Sequence, residues 1–251
     1  MNDALIGLES GLAVCRVVVE THGGLLTGLF LTGVIGSLSH CVGMCGPFVL
    51  SQVAARLENL PADRMNEFRR LTGAALIPYH LGRATTYGLL GALAGWAAGT
   101  LAGGGAFRYV AGGLLALAAL FLLGMAVPRL KALLGGGGGE SWWSRHVAGL
   151  ARPLFATPAG WRGWMLGVLL GFIPCGLLYA ALSAAAASGD PLASAFGMLA
   201  FAAGTVPVLM VVGGIGHFAI GQWREQMLKW APLLLVANAG MLGYMAWALV
   251  A

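Results

Sequence analysis

The chain has 251 residues, of which 59% are hydrophobic and 9% charged, and its net charge is +5. A soluble domain carries about 25% charged residues, so this composition excludes a water-soluble globule. Six spans of about 20 residues use nearly the whole length, which excludes a large extramembrane domain. The basic excess falls in short loops beside apolar runs, so it is a topology signal rather than a nucleic-acid footprint, and the partner that composition specifies is membrane lipid.

Residues 1–24 read as an outer N-terminal segment. Asp3 and Glu9 stand where a secretory signal carries positive charge, which argues against cleavage. Residues 12–15 loosely resemble a lipoprotein box, but Val14 is bulky before Cys15. A short outer or interfacial helix is the expectation, with Cys15 a bystander thiol and His22 near the outer end.

Apolar runs predict spans at 25–50, 84–101, 107–127, 163–187, 192–218 and 230–250. Backbone groups in lipid must bond within their own segment, and runs this long are helices. The first span contains Ser39-His40-Cys41-Val42-Gly43-Met44-Cys45-Gly46-Pro47. Pro47 beside Gly46 removes a backbone donor and clashes with the preceding turn, so a kink or unwinding is expected there. Arg83, at the inner end of the second span, reads as snorkelling to the headgroups or anchoring its loop, and His80 and His217 as interfacial. Gly91, Gly95 and Gly99 form a small-residue stripe for close helix packing.

After the third span, a cytoplasmic linker over 128–162 holds five consecutive glycines, 135–139, with Trp142 and Trp143 just beyond. The glycines are a flexible tether and the indoles interfacial anchors. The fourth span carries Gly163, Gly167 and Gly171 ahead of Ile173-Pro174-Cys175-Gly176, a second break, and the fifth offers another Pro break at Thr205-Val206-Pro207. Eleven of the fourteen Lys and Arg lie in the loops after the first, third and fifth spans. Basic loops stay cytoplasmic, so both termini face outward.

The linker separates 25–127 from 163–251, two units of three spans. An odd number per unit makes the second enter the membrane inverted. The expected fold is thus an all-α membrane protein of six transmembrane helices in two inverted three-helix repeats, the first and fourth helices broken at Cys, Pro and Gly. Matching breaks point to one central site. Gly46, Pro47, Pro174, Gly176, Thr205 and Pro207 would shape it.

Cys41 and Cys45 share a helix face, with Cα atoms about 6 Å apart, inside disulfide range. A redox carrier needs one thiolate to attack a disulfide and another cysteine to resolve it. Cys175 can join only if the two broken helices meet. The same atoms also suit a soft metal: Cys41, Met44 and Cys45 with His40, or the three cysteines, would select Cu(I). A third reading leaves the cysteines as buried packing residues in a structural assembly subunit.

The Cys-x3-Cys segment, Gly82-Arg83 with Tyr87 and Gly91, Pro174-Cys175-Gly176-Leu177-Leu178-Tyr179, and Gly204-Thr205-Val206-Pro207 resemble the UreH-like transmembrane family. That family is often labelled sulfite exporter TauE/SafE-like, and is a relative of the cytochrome c biogenesis protein CcdA and the membrane domain of the disulfide reductase DsbD. The resemblance covers residues 25–250 and implies a bacterial inner membrane protein. It implies that Cys41 or Cys45, with Cys175, carries electrons outward from cytoplasmic thioredoxin to an extracytoplasmic thiol protein for cytochrome or metalloprotein maturation. The alternative it implies is a Cu(I) or Ni(II) permease serving a metallochaperone. His40 stands before Cys41 where the redox relatives have Pro. No basic residue falls mid-span in this division, which leaves the sulfite label without an anion receptor.

Overall fold

The computed structural model describes residues 2–58, 76–101, 159–173 and 175–250, with residue 154 and single positions between 109 and 123. The described residues are helical apart from short turns and breaks, and none is in a strand. In chain order they form α1 (Asn2–Gly36), one π-helical turn (Ser37–Cys41), α2 (Val42–Met44), α3 (Gly46–Glu58), α4 (Ile77–Leu101), α5 (Gly160–Gly171), α6 (Gly176–Ala186) and α7 (Pro191–Val250). Helical positions between 109 and 123 fall within the predicted third span. The glycine run 135–139 lies outside the described residues.

Among the described residues, Arg16–Gly36 and Pro191–Gly214 are long and apolar enough to cross a bilayer. The pair Gly160–Gly171 and Gly176–Ala186, bent by 81°, passes the same test taken together. α4 has the length at 25 residues, but a polar face dilutes its apolar character. That face points inward: Tyr79, His80, Arg83, Thr86 and Tyr87 are buried, whereas Ile77, Leu81, Leu89, Leu93 and Trp96 are exposed. Apolar-out, polar-in is the reverse of a soluble amphipathic helix and fits a lipid solvent. It also corrects two expectations. The second helix starts at Ile77 rather than residue 84, and Arg83 is 3% exposed, inside the protein rather than at the headgroups.

Two glycine crossings set the core. Gly33 of α1 packs on Gly204 of α7, where an added Cβ would strike the Phe201 carbonyl. Gly167 of α5 packs on Gly82 of α4, where an added Cβ would strike the Tyr79 carbonyl. The contacts correspond residue for residue. Gly204 faces Phe30 O and Val34 N, while Gly82 faces Trp164 O and Val168 N, in each case three residues before and one after the partner glycine. Gly33 precedes Cys41 by eight residues, and Gly167 precedes Cys175 by eight. Gly91, Gly95 and Gly99 lie against Ser194 and Met198, Asp190 and Gly189 respectively, so their stripe packs α4 on the start of α7.

A straight α7 would separate Gly204 from Asn238 by about 50 Å at its helical rise. Gly204 instead meets Gly33, and Asn238 accepts a hydrogen bond from Gly176, whose neighbour Leu177 contacts Gly36. Both ends of α7 therefore flank one core, and the element is not one straight rod. Its far end packs Ala239, Leu242 and Ala246 on Leu115, Ala119 and Tyr179. At Pro207 the helix runs on unbroken, contrary to the expected break. The Pro207 side chain is exposed, and Thr205, buried, donates its hydroxyl to Ala202 O at 2.8 Å.

The crossings yield a paired test on α1. Gly33→Ala inserts a methyl into backbone and should destabilise by about 1–3 kcal/mol, whereas Gly28→Ala, with nothing within 4 Å of the added carbon, should be neutral or stabilising. Thermal melting of the detergent-solubilised variants measures both; equal midpoints would refute the crossing.

Candidate functional site

The first break is milder than the sequence suggests. The helix is not unwound: the Val42 N–H reaches back five residues to Ser37 O, making a π turn, and Cys41, Val42 and Cys45 keep right-handed helical backbone. Ser37, fully buried, donates its hydroxyl to Gly33 O at 2.5 Å. The Cys45 N–H still bonds Cys41 O at 2.8 Å, so the two thiols lie one turn apart. Gly46 and Pro47 open α3, where Pro in the first turn forfeits no intrahelical donor. A π turn inserts one residue and rotates the helix beyond it, a device found often at functional sites.

The second break is complete. α5 ends at Gly171, and the Phe172 and Ile173 N–H groups bond the carbonyls three residues back, Leu169 O and Leu170 O, each at 3.2 Å. Cys175 is extended (φ −133°, ψ 144°) and caps α6, its Sγ accepting the Leu178 N–H at 3.4 Å. The Gly176 N–H donates to Asn238 Oδ1 at 2.6 Å. A Cβ on Gly176 would crowd Met241 Sδ and that same oxygen, so glycine is required by the close approach of α7. Pro174 lies outside the described residues.

The two breaks meet. Cys41 is buried in a cluster with Val49, Val53, Leu76, Tyr79 and Leu209, against which Cys45 and Leu177 pack. Cys175 packs beside Leu177 on the adjoining cluster of Leu29, Tyr87, Leu178 and Phe201. Leu177 packs against both clusters and so joins the surroundings of Cys41 and Cys45 to those of Cys175. All three are free thiols. Leu209 of α7 packs in the same cluster as Cys41.

Sequence reasoning missed the cation at this centre. The Arg83 guanidinium lies between Tyr79, which shares a cluster with Cys41 and Cys45, and Tyr87, which belongs to the cluster that Cys175 packs against. It donates through Nη2 to Tyr87 Oη at 2.8 Å. It also sits over the rings of Tyr79 and Tyr87, 5.8 and 5.2 Å from their centroids, a cation–π cage. Tyr79, Arg83 and Tyr87 stand four apart, one face of α4, and that spacing was the available signal. Arg83 stands in the second turn of α4, near the helix end where the sequence put it, but its side chain is buried.

The donor set gives the metal reading no support. Among the described residues no group of three His, Cys, Asp or Glu side chains is placed to hold one. Met44 and His40 are half-buried neighbours on the first break, with His40 Nε2 buried and unpartnered. A guanidinium beside the thiols also repels a bound cation.

Apolar-out helices and an interior three-thiol centre define a multi-pass helical membrane protein with a buried cysteine site. The chain belongs to the cytochrome C biogenesis protein transmembrane region family, which it matches over residues 28–241. No curated protein and no solved structure matches it.

Asn238→Ala leaves the Gly176 N–H unpaired in the interior, at a cost of about 1–3 kcal/mol. The variant should melt earlier and its Cys175 should react faster with a membrane-permeant maleimide, while Asn238→Asp, which keeps an acceptor for the Gly176 N–H, should leave Cys175 labelling near the wild-type rate. Unchanged Cys175 labelling in the Ala variant would remove Asn238 from the support of the break.

Proposed function

We propose that this protein carries reducing equivalents across a bacterial inner membrane by thiol–disulfide exchange, serving the maturation of extracytoplasmic cytochromes or metalloproteins. The observation that carries the reading is that Cys41 and Cys45, from one distorted helix, and Cys175, from another broken one, lie in adjoining clusters that share Leu177. Family membership supports thiol–disulfide transport in general.

The matching crossings support the finer architecture. Gly33 with Gly204 and Gly167 with Gly82 make equivalent contacts, each pair eight residues ahead of a site cysteine. That is what two inverted three-helix repeats require, the first helix of each unit crossing the second helix of the other. On this reading 25–127 and 163–251 are the repeats, the termini are extracytoplasmic, and the basic loops face a cytoplasmic dithiol donor of the thioredoxin type. The acceptor outside is a disulfide-bearing thiol protein. Each transfer exchanges one dithiol for one disulfide, so no resident organic cofactor is needed.

Acid-quenched alkylation of growing cells tests this. Cys175 should be recovered partly in a disulfide with Cys41 or Cys45, more so when cytoplasmic thioredoxin is absent, and Cys41→Ser or Cys175→Ser should reduce outward transfer to background. A Cys175 never found in such a disulfide refutes the carrier. Full function in all three Cys→Ser variants would establish a structural assembly subunit instead.

A further inference from the structure

Arg83 presents a problem that the carrier reading alone does not solve. A guanidinium stays charged in proteins, and burying a charge without a counter-charge is costly. Among the described residues no carboxylate pairs with it; the ion pair Arg16–Glu20 lies on the surface of α1. Tyr87 accepts one N–H and two phenol rings cover the faces, but these groups are neutral. Nη1 is buried with no partner. Tyr79 packs in the cluster that holds Cys41 and Cys45, and Tyr87 in the one against which Cys175 packs, so the groups around the guanidinium that become anions in thiol chemistry are the three cysteines.

We propose that Arg83 is the shared counter-charge for a thiolate handed among Cys41, Cys45 and Cys175 in an intramolecular exchange; this rests on the carrier reading. The third cysteine makes the exchange possible. With Cys41 and Cys45 joined by a disulfide, the Cys175 thiolate attacks Cys41 Sγ. The Cys175–Cys41 bond forms, the Cys41–Cys45 bond breaks, and the electron pair leaves on Cys45 as a thiolate. Nothing is oxidised or reduced overall and no proton moves. The negative charge passes from Cys175 to Cys45 without leaving the field of Arg83. At the start it also sits at the α6 N-terminus, where Cys175 Sγ already accepts the Leu178 N–H and the helix dipole favours an anion. The site disulfide itself comes from the disulfide-bearing protein partner of the carrier cycle.

The test uses the full chain in phosphatidylcholine–phosphatidylglycerol nanodiscs. The protein is oxidised with one equivalent of diamide, quenched at intervals with N-ethylmaleimide, and its disulfides mapped by mass spectrometry. The wild type should show Cys41–Cys45 and Cys41–Cys175 linkages in exchange. Arg83→Gln should slow their interconversion at least about tenfold, the scale on which a nearby opposite charge favours an ionised group. Arg83→Lys should stay within about threefold of wild type. A Gln variant exchanging at the wild-type rate, a Lys variant as slow as Gln, or a single linkage in the wild type would overturn the proposal. If the Gln variant does not fold, Arg83→Lys decides alone, since a purely structural guanidinium would not be replaced by an ammonium. Reduction of the same nanodiscs by a thioredoxin-type dithiol is read separately. Its failure sinks the carrier while leaving the internal exchange measurable, and the converse result sinks the exchange alone.

Discussion

A helix interrupted inside a bilayer must find partners for the backbone groups it releases, because lipid offers none, and that constraint organises the site. Between Gly171 and Gly176 the chain meets it with three kinds of bond. Short i→i−3 bonds close α5, a cysteine sulfur caps α6, and the side chain of Asn238 arrives from α7 for the Gly176 N–H. The capping sulfur belongs to Cys175. The residue proposed to carry the chemistry is thus also one that makes the break tolerable, which ties its position to backbone hydrogen bonding rather than to packing alone.

The first break solves the same problem differently. Because Ser37–Cys41 forms a π turn, its backbone bonds are lengthened in register but not surrendered. Cys41 and Cys45 stay on one helical path and remain neighbours, whereas Cys175 hangs from an 81° bend. The close crossings Gly33–Gly204 and Gly82–Gly167 then draw the two paths together, since only residues without a Cβ let backbones approach this far. Two helices of unlike distortion converge because the crossings that hold them are alike.

Much of this was legible in the sequence. The apolar runs, the three thiols and the place of the second break came from hydropathy and from Cys beside Gly and Pro. What escaped was whatever hydropathy averages away. A window that penalises Tyr, His and Arg starts the second helix at residue 84 and puts Arg83 outside it, although in α4 those side chains turn inward and lipid never meets them. Pro207 shows the opposite error, a residue read as a break where the helix continues and the ring faces outward. Asn238 could not be foreseen, since its role depends on how α7 returns to the core. The Tyr79, Arg83, Tyr87 ladder could have been, from its spacing of four.

The choice of arginine has its own logic. A buried lysine keeps its proton only while an anion stands beside it, so its charge would come and go with the thiolate. Arginine stays charged throughout, and its planar fork divides its duties: Nη2 is occupied by Tyr87, the faces by two rings, and Nη1 remains without a hydrogen-bond partner. The cage thereby keeps the cation solvated well enough to persist, yet short of one partner. A permanent positive charge at a three-cysteine centre favours sulfur as an anion and opposes a metal cation on the same atoms. The choice between electrons and metal as cargo, open at the level of sequence, is weighted toward electrons by one side chain, and that side chain lies on a helix that contributes no cysteine.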